Sequence, residues 1–354
     1  MSKLQETINM IGDLDTSLME KAQARLDFLT KPQGSLGRLE ELAKQVVGIT
    51  GQKDPAYQNK VIFTFAGDHG VVESGVSAFP QEVTPQMVYN FLANGAGINV
   101  LANHIGGRVV VADLGVATDL NPHPELIIKK VNYGTKNMAN GPAMSREEAI
   151  KAIESGIEIF EEELKKGIDI AGTGEMGIGN TTPSSAITAV FTNKPVEDIT
   201  GRGTGIDDAA LNNKITVIKQ AIAQNQPDPS DAIDVLAKVG GFEIGGLCGV
   251  VLAAAAHKVP VVIDGFISSA AALLAYHLEP KVKNYCVAAH CSVEIGHKTI
   301  LDQIGLKPLL DLDFRLGEGT GAALAIGLVE AGIKIMTQMA TFESAGVSEQ
   351  VVSG

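Results

Sequence analysis

The chain has no tryptophan, and aromatic residues make up only 5% of its 354 positions. Recognition by stacked rings is therefore disfavoured, and close backbone packing takes its place. Basic residues are also scarce: 28 Lys and Arg stand against 41 Asp and Glu, a formal net charge of −13. A nucleic-acid surface needs a basic stripe, and none is present. The acidic balance still leaves room for a local anion site. The three cysteines, Cys248, Cys286 and Cys291, lie in or near apolar segments without paired spacing. That predicts buried, reduced thiols in a cytoplasmic protein. The apolar run "GLCGVVLAAAAHKVP" is too short and too rich in alanine for a membrane span. The N-terminal "MSKLQETINMIGDLDTSLME" carries acids and no long apolar stretch, so no signal peptide is expected.

Several catalytic motifs are missing too. Neither G-x-x-x-x-G-K-[ST] nor G-x-S-x-G occurs, which argues against a P-loop and against a serine nucleophile elbow. No cysteine has an obvious activating base. Asp68 and His69 are neighbours, but successive side chains on a strand point opposite ways. "AHCSVEIGH" supplies His290, Cys291 and His297 without a clean ligand spacing. No metal and no cofactor are expected.

What is present is glycine, 39 residues of it, with 45% apolar and 19% charged residues. Such a chain builds a sizeable core. "DTSLMEKAQARLDFLTKP" places Leu18, Ala22, Leu26 and Leu29 on one helical face ended by Pro32, and Ser35 is the expected cap of a second helix. From Lys60 onward, "KVIFTFAGDHG", "GRVVVADLG", "GIDIAGTGEMG", "VPVVIDGF" and "KNYCVAAHCS" each read as a buried strand with a polar tip. Helices are expected at "SREEAIKAIESGIEIFEEELKKG", "PSDAIDVLAKVGG" (starting at Ser230 and Asp231) and "GLCGVVLAAAAHK". A last long one runs from near Thr320 past Met336, with Gly321, Ala325 and Gly327 allowing close packing. Buried strands alternating with helices predict an α/β fold, a parallel sheet covered on both faces. Ligands bind beyond the carboxyl ends of such strands. That geometry gathers Asp68, Glu175, Asp264, His290 and the Glu318 turn at one edge.

Two glycine-rich stretches carry the candidate chemistry. In "GTGEMGIGNTTPSSAI", Gly172, Gly174 and Gly177 spell G-x-G-x-x-G after a strand. The acidic companion of a dinucleotide site should close a second strand about twenty residues on, but "NKPVEDITG" is a proline-broken loop. A phosphate at the following helix N-terminus fits the same residues, with Asn180, Thr181 and Thr182 as further donors. A tight strand-to-helix turn alone fits them too. In "DFRLGEGTGAALAIGLVEAG", Glu318 lies between Gly317 and Gly319. It either favours a helix start or is held for a ligand. The flanking glycines cost backbone entropy that a helix start does not require.

"KPQGSLGRLEELA", "GDHGVV", "GPAMSREEA", "GTGEMGIGNTTPSSAI", "NNKITVIKQAI", "DVLAKVGGFEIGGLCGV", "VIDGFISSAAAL" and "RLGEGTGAALA" occur in this order. Together they resemble the nicotinate-nucleotide:dimethylbenzimidazole phosphoribosyltransferases, the CobT family of cobalamin synthesis. The resemblance runs from about residue 10 to about residue 340. It implies a Rossmann-like large domain over residues 59–319. A small helical domain would be built from residues 1–58 and 320–354. It also implies a homodimer with active sites near the subunit interface. The implied reaction moves phosphoribose from nicotinate mononucleotide to a benzimidazole-type base, releasing nicotinate. Under this resemblance Glu318 is the catalytic base, and Glu175 is a second carboxylate near the ribose. Lys214 binds the nucleotide, and Gly174, Met176 and Gly177, with Ser292 opposite, contact its phosphate. Gly203 and Asn213 line the same site. Phe79, Met87 and Leu316 border the base, and the glycines beside Glu318 clear space for a flat heterocycle. Two other readings compete: a nicotinamide-dependent dehydrogenase, and a partner subunit that keeps the fold without the chemistry.

Overall fold

The structure, a computed structural model, describes residues 1–203 and 205–348. Helices α1 (Lys3–Met10), α2 (Thr16–Asp27) and α3 (Arg38–Thr50) precede strand β1 (Lys60–Gly67). Helices α4 (Val83–Leu92) and α5 (Gly97–His104) lead to β2 (Arg108–Gly115) and the short β3 (Leu126–Ile128). Next come α6 (Arg146–Leu164), β4 (Ile170–Met176), α7 (Thr181–Thr192), α8 (Asp208–Asn225), α9 (Ala232–Val239) and α10 (Phe242–Ala256). Then follow β5 (Val261–Ile263), α11 (Phe266–Leu278), β6 (Cys286–Ala288), α12 (Ile295–Ile304), α13 (Thr320–Gln338) and α14 (Phe342–Ala345). Of the expected C-terminal segment 320–354, residues 349–354 lie outside the described residues.

All strands run parallel in one six-stranded sheet ordered β3-β2-β1-β4-β5-β6. The order reverses direction between β1 and β4, and a crevice opens at that point beyond the strand ends. The two-residue period of the strands divides the interior. Val61, Phe63 and Phe65 of β1 belong to a core with α6 and α10. Ile62 and Ala66 belong to another with α3 and α13. Both sets are apolar, so β1 reads as one continuous hydrophobic run, as a sheet buried on both faces requires.

Small residues set how closely the layers approach. A methyl group on Gly156 of α6 would overlap the Gly246 carbonyl of α10, and one on Gly249 would overlap the Ile153 carbonyl. Helix α13 packs across β1, β4 and β5 and against α3 and α5. It is long and apolar enough to cross a membrane by length and composition, but Ala322, Ala323, Ala325, Ile326 and Val329 are fully buried in the second core. Within it, Gly332 rather than Gly327 makes the close approach, to the Leu39 carbonyl of α3. Helix α2 also packs on α3, and Arg25 donates to the carbonyls of Met336 and Met339 at the end of α13. Helix α1 packs instead on α6 and α10.

The expected helices appear, and α9 is capped by Asp231, which accepts from the N–H groups of Ile233 and Asp234. Ser35 does not cap α3. The N-cap is Gly37, whose left-handed φ of 49° follows another at Gly34, φ 71°. Glu40 reaches back to the Leu36 N–H at 2.9 Å instead. Edge strand β3 had no counterpart in the sequence reading, because three residues carry too little periodicity. Cys248 and Cys286 are buried free thiols, and Cys291 is half-buried.

Candidate active site at the sheet's carboxyl edge

The Glu318 turn crosses the ends of the central strands. Gly317 (φ 81°), Glu318 (φ 64°) and Gly319 (φ 99°) all take left-handed backbone. A glutamate held there costs about 1–3 kcal/mol, so neighbouring groups must fix it. Thr64 of β1 donates its hydroxyl to the Glu318 carbonyl at 2.9 Å. Asp264, just past β5, accepts from the N–H groups of Gly319 at 3.3 Å and Ala322 at 2.9 Å. Gly174 of β4 forms the seat, since a methyl group on it would overlap the Glu318 carbonyl.

The Glu318 carboxylate does not serve its own helix. Its Oε2 accepts the Ile98 N–H at 3.1 Å, at the start of α5, where the helix dipole favours negative charge. Burial raises its pKa. The Ile98 N–H opposes that shift, the Asp264 charge adds to it, and the result stands above the ordinary carboxylate value.

Glu175 closes β4 in register with Phe65. Its Oε2 accepts from Asn180 Nδ2, and a methyl group on Gly317 would overlap its Oε1. Burial pushes Glu175 up to about 8; the Asn180 hydrogen bond opposes this, while the charges of Asp264, Glu243 and Glu318 add to it. Asp264 is pushed up to about 7 by burial, against the pull of four backbone N–H groups. His290 lies with Nε2 4.0 Å from Asp264 Oδ1. Burial lowers its pKa, so at neutral pH the two are not an ion pair.

Asp68 and His69 brace the site from behind. Asp68 accepts the Ala117 N–H at 2.8 Å, and His69 Nε2 lies 2.7 Å from Glu243 Oε1 with both side chains buried. Burial works to lower the His69 pKa, but the Glu243 charge and hydrogen bond outweigh it and raise it.

Glu175, His290 and Glu318 border a cavity of about 250 Å³ whose lining divides by chemistry. Phe79, Val83, Met87, Met176 and Leu316 are apolar, while Thr181, Gly203, Ser292 and Glu294 are polar. The start of α7, from Gly179 to Thr181, borders it as well. Behind Thr181 is the buried Lys214, whose ammonium donates to Thr181 Oγ1 at 2.7 Å and to the Gly201 carbonyl at 3.2 Å. Burial lowers Lys214 to about 8, partly offset by the Glu294 charge. The Gly203 N–H donates to Glu294 Oε1 at 2.9 Å. The Ser292 N–H donates to His297 Nδ1 at 2.9 Å, which leaves the His297 proton on Nε2, 2.9 Å from Ser269 Oγ. Burial holds His297 at about 3, so it stays neutral and orients Ser292 in the loop before α12.

Of the residues singled out in the sequence, Glu318, Glu175, Met176, Gly177, Gly203, Ser292, Phe79, Met87 and Leu316 all line this cavity. Three do not line it. Gly174 seats the Glu318 turn, and Lys214 touches Thr181 from the far side. Asn213 donates to the carbonyls of Ser74 and Gly75 at 2.7 and 3.3 Å. The glycines flanking Glu318 need correcting. Gly317 makes room for the Glu175 carboxyl, and Gly319 for Ile62 of β1; neither space is left for a heterocycle. Sequence reasoning missed Glu294 and Arg315 on the wall and the α5 N-terminus that receives Glu318. Arg315 was readable beside Leu316. No local pattern links Glu318 to Ile98, which lies 220 residues away.

The sequence model of the Phosphoribosyltransferase family matches residues 11–347. The nicotinate-nucleotide–dimethylbenzimidazole phosphoribosyltransferase of Geobacter sulfurreducens is 60% identical over 349 residues, 99% of each chain. Its namesake from Geotalea uraniireducens is 62% identical over the same length and coverage. The chain belongs to this family. The crystal structure of CobT from Thermus thermophilus superposes with a TM-score of 0.91 at 43% identity, covering 94% of this chain and 100% of that one. The family's sheet is thus the sheet described above, with its parallel order and its crevice. The dehydrogenase reading gives way. After α7 the chain makes a 3₁₀ turn at Val196–Asp198 and forms no strand before β5 among the described residues, so an acidic residue closing a second strand is not available.

Proposed function

We propose that the chain transfers the phosphoribosyl group of nicotinate mononucleotide to 5,6-dimethylbenzimidazole, giving α-ribazole 5′-phosphate and nicotinate. The observation that carries this reading is a buried carboxylate, Glu318, facing the same cavity as an apolar wall and a cation-backed polar wall. The phosphate lies at the start of α7, with Thr181, Gly203 and Ser292 around it and Lys214 behind. A bound phosphate adds its charge to that of Glu294 near the buried ammonium. The benzimidazole lies along Phe79, Val83, Met87 and Met176.

In the reaction a benzimidazole nitrogen bonds to C1′ as the bond from C1′ to the pyridinium nitrogen breaks. The electron pair of that bond leaves with neutral-ring nicotinate, so no acid is required. The other benzimidazole nitrogen loses its proton to Glu318. The raised pKa of Glu318 makes it a stronger base than an exposed carboxylate, nearer the working pH, where such catalysis is most effective. Glu175 holds a ribose hydroxyl. In the empty site it carries a proton near neutral pH, and the arriving pyridinium favours its ionised form, which then supports positive charge at C1′. Enclosing both partners aligns the attack, an effect worth up to about 7–11 kcal/mol.

A second copy of the chain completes the mouth of the site. Val100 and Leu316, 63% and 61% exposed, border one apolar hollow beside the Glu318 turn, and a shared apolar surface of this kind supports that reading. Light scattering at graded concentrations tests the dimer. The transfer itself is tested by mixing protein, nicotinate mononucleotide and a panel of 5,6-dimethylbenzimidazole, adenine and p-cresol. Mass spectrometry then follows nicotinate and ribotide. Dimethylbenzimidazole ribotide is expected as the main product. Folded protein that binds the nucleotide yet releases no nicotinate with any base would instead support the partner-subunit reading.

A further inference from the structure

We propose that Asp264 is a positioning residue for proton abstraction, holding Glu318 in its left-handed turn through the N–H groups of Gly319 and Ala322. The inference rests on the transferase reading and on Glu318 as its base.

Asp264 is 1% exposed and absent from the cavity wall, although its neighbour Gly265 is on it. It therefore has no direct path to substrate. Its own N–H donates to Thr173 Oγ1 of β4 at 3.3 Å, which ties it to the sheet. From there its carboxylate spans the turn: Oδ2 takes the N–H of the residue after Glu318, and Oδ1 takes an N–H in the first turn of α13. An N-cap side chain normally satisfies a donor such as the Ala322 N–H, but the N-cap of α13 is Gly319, which has none. Asp264 supplies the cap from another strand, which frees position 319 to be a glycine with φ 99°. That φ in turn lets Glu318 point away from its own helix and reach α5. The contacts leave little slack. A methyl group on Gly321 would overlap His290 Cδ2 and stand 2.9 Å from Asp264 Oδ1. The charged and titratable groups around Asp264 are His290, at 4.0 Å, and the carboxyls of Glu175 and Glu318. None of them offers the two N–H groups another acceptor.

Without Asp264 the turn is free to relax from its strained conformation, and the Glu318 carboxylate drifts from the proton it must take. A misplacement of about 1 Å can cost about 10²-fold in rate. The test uses the full-length chain with nicotinate mononucleotide and dimethylbenzimidazole. Asp264→Ala should lower kcat about 10²-fold with KM for the nucleotide little changed. Asp264→Asn, which retains one acceptor oxygen, should recover part of that loss. In a Glu318→Gln background, Asp264→Ala should cost little further, because the group it positions is already disabled. Wild-type protein without transfer would sink the parent reading and not this inference alone. Given wild-type turnover, three results overturn it: a folded Asp264→Ala with normal kcat, a loss that persists in full in the Glu318→Gln background, or nucleotide binding that falls in step with kcat. Thermal melting accompanies each variant. If neither replacement folds, Asp264 is a determinant of folding, and a role specific to Glu318 is rejected.

Discussion

"GTGEMG" at the end of β4 and "LGEGTG" before α13 are built from nearly the same letters, each with a glutamate between glycines. They do different things. Gly172 and Gly174 lie in an ordinary strand, and each is small because another element presses on it. Gly317 and Gly319 are needed for their positive φ as well as for space. Glu175 stands on regular backbone with a side-chain amide for company. Glu318 stands on strained backbone, with its carbonyl, its following N–H and its carboxylate tied to β1, β5 and α5 respectively. The rigid strand supplies the seat, and the strained turn supplies the carboxylate proposed to take the proton. Strain is worth storing where one group must be placed against two substrates at once.

The contrast is broken most severely by Glu318→Gln. The amide keeps the shape of the side chain and removes its capacity to take a proton. Turnover with dimethylbenzimidazole should fall by about 10²–10⁴, while nucleotide affinity measured by calorimetry changes little. The matching change on β4, Glu175→Gln, should cost less, because on the proposed reading it removes a charge that supports the ribose rather than the proton acceptor. Equal losses in the two variants would erase the distinction drawn between them.

A second pair of variants separates seat from strand. Gly174→Ala forces a methyl group into the Glu318 carbonyl, backbone that cannot swing aside. Overpacking of this kind costs about 1–3 kcal/mol, and here it moves the catalytic turn as well, so activity should fall further than stability suggests. Gly172→Ala meets chiefly the Cδ1 tip of Ile62, at 2.6 Å, which can change rotamer. It should retain most of the activity. Thermal melts and kcat measured on the same samples decide the matter.

The difference between these two stretches also marks where the sequence stopped being informative. Strand runs such as "KVIFTFAG", the Asp231 start of α9, and the gathering of Asp68, Glu175, Asp264, His290 and Glu318 at one edge all follow from periodicity, start signals and the rule that ligands sit beyond parallel strand ends. Glycine roles do not follow. Whether a glycine supplies a positive φ or simply makes room is fixed by partners far away in the chain, as Gly317 and Glu175 illustrate. The same holds for Lys214, which the resemblance brought to the nucleotide and which the fold sets behind Thr181. Ser35 misled because a left-handed Gly37 took over the start of α3. β3 went unread because a strand of three residues is held by its neighbours more than by its own pattern.

The pH profile sharpens the comparison through charge. On the proposed reading Glu318 must be ionised to act, and its pKa is raised, so kcat/KM should fall on the acid side at a pH above that of an ordinary carboxylate. Lys214 must, on the same proposed reading, be protonated to hold phosphate, and burial has lowered it to about 8. Nucleotide KM should therefore rise as pH climbs through about 8. The fall should come at higher pH in kcat, because bound phosphate favours the ammonium. Profiles in kcat/KM report the free protein and those in kcat the complex, so one titration series reads both.

The gentlest probe concerns stability. Folded Glu175 has its pKa pushed up to about 8 from an ordinary 4.5, so between those values the folded chain holds a proton that the unfolded chain has released. Its contribution is complete below the ordinary value and is lost as pH rises through the window. The ligand-free protein should accordingly lose stability across that range. Glu175→Gln cannot ionise, so it should melt a few degrees above wild type at pH 8, on the order of 1–2 kcal/mol, and close to it at pH 5. Saturating nucleotide should narrow the gap, since the pyridinium stabilises the ionised carboxylate. A variant that melts lower than wild type at pH 8 would mean that Glu175 is already ionised and satisfied in the empty site. The strand carboxylate would then be as fully anchored as the one on the turn.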